Sequence, residues 1–235
     1  MAEVQAFQAW RYDVGQVGDL SDVVAPPYDV IDEAFQDELY KAHPCNCVRV
    51  DLNRAEPEDA GVEDRYARAA KYMKQWQQDG VLIREHEDCL YVYHQEFEWE
   101  GTKYVRKGFL GRLKLEEFGK GNVFPHEQTM PGPKKDRLAL MYACQANLSA
   151  IFGLYPDREN EAQTILEDAA ISLTPLVATD HLGVVHRLWP VSDPAAIAKV
   201  QEILADKPIF IADGHHRYET SCNYKNELAE AGQLN

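Results

Sequence analysis

The chain has 235 residues, 45% of them hydrophobic, which is enough to bury a substantial core and too apolar for a disordered segment. With 39 acidic against 24 basic side chains its formal charge is −15, which repels nucleic acid and anionic membranes over most of the surface. Any bound anion must therefore be held by a local cluster of donors.

The opening "AEVQAFQAWRYD" has no basic start and no apolar stretch before a cleavage site, and no later run reaches bilayer length. A soluble cytoplasmic protein without nucleic-acid or membrane partners is expected. "VQAFQAWRY" predicts a strand, and the following "VGDLSDVVAPPYDVID" a loop. Pro26-Pro27 forbids helix there, can include a cis proline, and presents Tyr28 and Asp29. Asp32 is placed to cap a helix reaching about Lys41. "CNCVRVDLN" reads as a strand, with Cys45 and Cys47 as packed thiols. The five cysteines are scattered, without a CxxC pair, and predict reduced side chains. Val62, Tyr66, Ala69, Ala70, Met73 and Trp76 recur at helical spacing and predict an amphipathic helix closed by Gly80.

Two strand-like runs joined at Glu100-Gly101 then predict a hairpin. A loop rich in Gly, Pro and charge, "GKGNVFPHEQTMPGPKK", leads into a helix with Leu138, Met141 and Tyr142 on its apolar side. Beyond it strands and helices alternate: "AIFGLY", "NEAQTILEDAA", "LTPLVAT", "GVVHRLW", "PAAIAKVQEIL", "PIFIA" and "RYETSCNYKNELAEA". Alternation combined with a hairpin predicts an α+β fold with a mixed sheet. An N-terminal part, 1–120, and a second part, 121–235, are expected to form one intimate unit. The chain stops at Asn235, just past the last helix, which predicts a longer parent protein.

Three stretches carry chemistry. "IFIADGHHR" is a strand, a glycine turn and a helix start, the arrangement that binds anions through amide groups and the helix dipole. Gly214 permits close backbone approach, Arg217 can fork two phosphate oxygens, and His215 or His216 can donate hydrogen bonds or shuttle a proton. Asp213 caps the helix, orients a histidine or holds Mg²⁺. A transition-metal site on Asp213 with a histidine is the competing reading, weakened by the lack of an HxxxH or HExxH partner. "FPHEQTMPGPKKDRL" offers His126 and Glu127 as an acid/base pair and Thr129 as a hydroxyl. Its cations Lys134, Lys135 and Arg137 stand at a helix start, where an anion would favour them. "VVAPPYDV" is the third, a rigid loop.

In order along the chain, "AFQAWRYD", "VVAPPYDVI", "HPCNCVRVDL", "FPHEQTMPGPKKDRL", "NLSAIFGLY" and "IADGHHRYET" resemble a prokaryotic family catalogued as a domain of unknown function, over essentially all 235 residues. That family in turn resembles the ParB/sulfiredoxin-like fold, whose equivalent loop cradles nucleotide phosphates, and similar proteins with this motif act as free-serine kinases. Sulfiredoxins carry Gly-Cys-His-Arg there and ParB proteins Gly-Glu-Arg-Arg. Here His215 stands at the Cys or Glu position, which excludes sulfiredoxin thiol chemistry. The resemblance implies a small-molecule phosphotransferase, with L-serine as acceptor and Mg²⁺ with pyrophosphate or ADP/ATP as donor. Gly214, His215, His216, Arg217, Lys134 and Arg137 would bind phosphate. Residue type, which the resemblance does not refine, makes Glu127 the candidate base with His126 and Asp29 behind it, and adds His216 and Asp213 as further catalytic candidates. A nucleotide-switched binding module and a metal-dependent hydrolase are the alternatives. A homo-oligomer is compatible with the sequence.

Overall fold

The computed structural model describes residues 3–127 and 131–234. Its first half runs β1 (Val4–Gln5), β2 (Trp10–Tyr12), α1 (Val14–Val17), α2 (Glu33–Ala42), α3 (Val48–Asp51), α4 (Glu63–Gln78), β3 (Leu82–Arg84), β4 (Leu90–Trp99), β5 (Thr102–Leu110) and β6 (Arg112–Leu113). The second half runs β7 (Val123–Phe124), α5 (Pro131–Cys144), β8 (Phe152–Leu154), α6 (Glu161–Ala170), β9 (Leu176–Thr179), β10 (Val185–Val191), α7 (Pro194–Ala205), β11 (Ile209–Asp213) and α8 (His215–Glu230). These helices and small sheets, parallel and antiparallel, make the α+β architecture that the alternation predicts.

The largest sheet is antiparallel, in the order β5-β4-β10-β9. Its hairpin turns at Glu100 and Gly101, whose φ values of 50° and 74° are those of a two-residue type I′ turn. Because β4 pairs with β10, strands from both sides of residue 120 share one sheet. Helices α6 and α7 cover it: Leu166, Val200 and Leu204 pack with Leu90, Val92 and Val191 in the main core. Local capping starts these elements. Asp193 accepts the Ala195 amide at α7 and Asp32 the Phe35 amide at α2, each worth about 1 kcal/mol.

A smaller sheet, β7-β11-β8, carries the C-terminal motif, with β11 parallel to β7 and antiparallel to β8. Val123 and Ile211 point inward to Tyr218 and Cys222 of α8, while the alternate residues Phe124 and Phe210 stack on the exposed face with centroids 5.5 Å apart. Helix α5 packs against both α4 and α8. Among the described residues no helix is long and apolar enough to cross a membrane.

Three expectations change. "CNCVRVDLN" is a helical turn, α3, and not a strand. The cause is Asn46, wholly buried, whose Oδ1 accepts the Val48 amide while its Nδ2 donates to the carbonyls of Asp22 and Val24. A side chain that binds an amide two residues on closes a turn, and this outweighs the strand preference of Val48 and Val50. No cis peptide bond occurs among the described residues, so Pro26 and Pro27 are trans. Among the described side chains of α5 the buried ones are Arg137 and Leu140, whereas Tyr142 is exposed and donates its hydroxyl to Glu227. That helix turns a charged side chain inward because acidic groups wait for it there.

Candidate functional site

The site starts at the end of β11. A register shift between Ile211 and Asp213 bulges the strand, and Gly214 turns the chain in the left-handed conformation (φ 88°, ψ 28°). Helix α8 begins at His215, so both histidines lie in its first turn. It has no side-chain cap, and its 16 residues direct the positive end of a helix dipole at the turn. A Cβ at position 214 would come within 3.0 Å of the Arg217 guanidinium, so glycine also makes room for that side chain.

Arg217 is the cation of this turn. Its Nη2 donates to Asp213 Oδ2 at 2.5 Å and its Nη1 to the Ala150 carbonyl. The two partners differ in access, with the Arg217 side chain 14% exposed and that of Asp213 63% exposed. His216 is half-buried. His215 has turned inward and its side chain is 1% exposed. Its Nε2 accepts the His126 amide at 3.4 Å, and the two imidazoles meet edge to face with centroids 4.5 Å apart. Its Nδ1 lies 2.9 Å from Glu127 Oε1 but outside hydrogen-bond alignment, so the two are in close contact without a formed bond. His126 Nδ1 sits 2.8 Å from the Ile211 carbonyl and must carry the proton to donate to it. His126, Glu127 and His215 thus gather on one side of the β11–α8 turn and brace it.

Arg217 also lines a cavity of about 330 Å³. The other walls come from Ala25 to Pro27, from Cys47, Val50 and Asp51 around α3, and from Leu148 to Ala150. Four stretches far apart in sequence meet here. Asn46 holds two of them together, and the Cys47 amide adds a bond to the Val23 carbonyl at 2.8 Å. Among the described residues the lining is mostly apolar, with Asp51, Ser149 and Arg217 as its hydrogen-bonding polar side chains, the usual make-up of a small-molecule site. Neither His126 nor Glu127 is among the described residues that line it.

Asp51 was absent from the site read off the sequence. Its side chain is 16% exposed, its Oδ1 accepts Arg137 Nη1 at 3.1 Å, and its Oδ2 accepts Ser149 Oγ at 3.2 Å. Burial raises its carboxyl above the ordinary range, outweighing Arg137, Ser149 and Arg217, which all favour the charged form. The Cys47 thiol beside it is pushed up to about 12, by burial and then by Asp51, and so stays neutral. A signal for Asp51 did exist: an acid closing the apolar run "CVRVD".

Arg137 is deep in the protein, its side chain 8% exposed. Nη1 donates to the Asp51 carbonyl at 2.9 Å as well as to its carboxylate, and Nη2 and Nε donate to Asp136 Oδ2 at 2.6 and 2.9 Å. The guanidinium carbon stands 4.0 Å from the centre of the Tyr28 ring. These partners occupy the group that the sequence suggested for phosphate. Lys134 pairs with Glu219 at 2.8 Å, Lys135 and Asp29 are exposed, and Thr129 lies outside the described residues. Among the described residues no group of three His, Cys, Asp or Glu side chains stands close enough to hold a metal ion.

The profile of a family described as "Protein of unknown function (DUF1015)" matches residues 4–235, and the chain belongs to that family. No curated protein and no solved structure matches the chain.

Proposed function

We propose that this member of the DUF1015 family is a small-molecule phosphotransferase, moving a phosphoryl group from pyrophosphate or ADP/ATP to a small hydroxyl acceptor, with free L-serine foremost. The observation that carries the reading is the cavity in which the arginine of the Asp-Gly-His-His-Arg turn meets a desolvated carboxylate and a hydroxyl. The likeness of that turn to the phosphate-cradling loop of ParB/sulfiredoxin-like serine kinases supports it.

The donor's oxygens would lie on Arg217, on Gly214 and on the amide groups that open α8. Arg217 can exchange its partner Asp213 for a phosphate, because that carboxylate is 63% exposed and is solvated when released. Mg²⁺, when bound, would supply positive charge to the donor's phosphate groups. Asp213 would hold it, since this ion uses one or two carboxylates plus substrate oxygens and needs no three-residue cluster. Half-buried His216 is the histidine with access to the donor, and buried His215 keeps the turn in shape. A carboxylate takes the proton of the attacking hydroxyl, and fixed positive charge stabilises the transferring group.

Phosphorus NMR of the protein with L-serine, Mg²⁺ and each donor in turn is expected to show O-phosphoserine. Arg217→Ala should abolish the product, with urea unfolding run alongside to show that the variant is folded. Donor binding without transfer to any acceptor would make the protein a nucleotide- or pyrophosphate-switched binding module instead.

A further inference from the structure

We infer that Asp51 is the carboxylate that accepts the acceptor's proton, and that the acceptor, a small aliphatic hydroxy compound, occupies the cavity between Pro26-Pro27 and Ser149. The inference rests on the phosphotransferase reading and names the base and the acceptor position within it. Among the described residues lining the cavity, Asp51 is the carboxylate. Glu127, the acid that residue type alone suggests, lies against His215 and outside that lining. A base must reach the proton it removes, so geometry selects Asp51 first.

Its surroundings fit the task. Arg137 and Ser149 each take one lone pair, on Oδ1 and Oδ2 respectively, and an ionised carboxylate has about four such acceptor positions. The group is oriented without being used up. The charged and titratable groups around it are Arg137 and Asp136 of α5, Arg217 of α8, and the thiols of Cys47 and Cys144. The two carboxylates that share Arg137 are driven apart. Burial dominates at Asp51 and raises it. At Asp136 burial is overcome by the Tyr66 hydroxyl and by Arg137, and the carboxyl is lowered. Divergent environments of this kind separate a working base from a structural counter-ion. In the reaction the acceptor O–H breaks, its proton passes to an Asp51 oxygen, and the acceptor oxygen forms the new O–P bond. The donor's bridging P–O bond breaks with its electron pair on the departing phosphate or nucleotide, which then takes the proton from Asp51.

The experiment follows transfer by phosphorus NMR in wild type, Asp51→Asn and Ser149→Ala, with L-serine, Mg²⁺ and the donor that the wild type uses, and measures pyrophosphate binding by calorimetry. Asp51→Asn keeps an oxygen for Arg137 and is expected to cut kcat at least about 100-fold while pyrophosphate affinity moves less than about threefold. Ser149→Ala removes a donor that favours the carboxylate, so the acid limb of the kcat/KM profile should move to higher pH, which a merely structural Asp51 would not cause. Should Asp51→Asn fail to fold, that limb decides alone. Wild-type turnover that survives Asp51→Asn, or an acid limb unmoved by Ser149→Ala, overturns the assignment of the base and leaves the phosphotransferase standing. A wild type that transfers from no donor to any acceptor rejects the phosphotransferase, and Asp51 as its base with it.

Discussion

Arg137 and Arg217 stand on two helices packed together; Arg217 lines the cavity, whereas Arg137 lies outside its lining and binds the wall residue Asp51, and they do opposite things. Arg137 is enclosed by Asp51, Asp136 and the Tyr28 ring, so α3, α5 and the Pro26-Pro27 loop are tied through a single guanidinium. Arg217 holds an exposed carboxylate four residues behind it and one carbonyl. The first cation is fixed by buried partners behind the wall of the cavity, and the second lines the cavity with one exposed partner. In a chain of net charge −15, carboxylates are plentiful, and what distinguishes the two arginines is whether their acids can be exchanged. Separating buried charges is costly, whereas replacing an exposed partner by another anion is cheap.

The largest test of that contrast is Arg137→Met. It strands Asp51 without its buried cation and should destabilise the protein by about 3–5 kcal/mol, read from urea unfolding. A loss no larger than that for Arg217→Ala would erase the distinction. Next is Gly214→Ala, which places a Cβ in the left-handed region at φ 88° and against the Arg217 guanidinium. A cost of about 1–2 kcal/mol is expected, together with weaker pyrophosphate binding measured by calorimetry, because Arg217 must shift. The smallest effect concerns a third arginine that touches no part of the cavity. Arg68 binds Asp59 with two bonds, of 2.7 and 2.9 Å, and lowers its carboxyl from 3.8 to about 2. Since the folded value lies below the unfolded one, this pair adds stability above pH 3.8 and loses it as pH falls towards 2. Asp59→Asn should flatten the pH dependence of unfolding in that window and leave phosphoryl transfer unchanged.

Much of the fold could be read locally. The capped helix after Asp32, the helix ended by Gly80, the hairpin at Glu100-Gly101 and the strand-turn-helix at Gly214 all stand where spacing and turn chemistry put them. The site was legible only in part. The Asp-Gly-His-His-Arg turn announced itself through residue type, yet nothing along the chain distinguished His215, buried, from His216, half-buried. Residue type groups Arg137 with Lys134 and Lys135, and no local signal marks its burial against Asp51 and Asp136. Asp51 passed as the end of a strand because the side chain that closes its turn, Asn46, acts through carbonyls more than twenty residues upstream.

By itself the sequence determined most element types, the net negative charge and the strand-turn-helix at Gly214, because these depend on composition and on contacts within a few residues. Which arginine is enclosed by acids and which holds an exposed one, and which carboxylate loses its water, was decided only by the tertiary structure. Desolvation at a point is the sum of what four distant segments bring there, and no short window of sequence contains that sum.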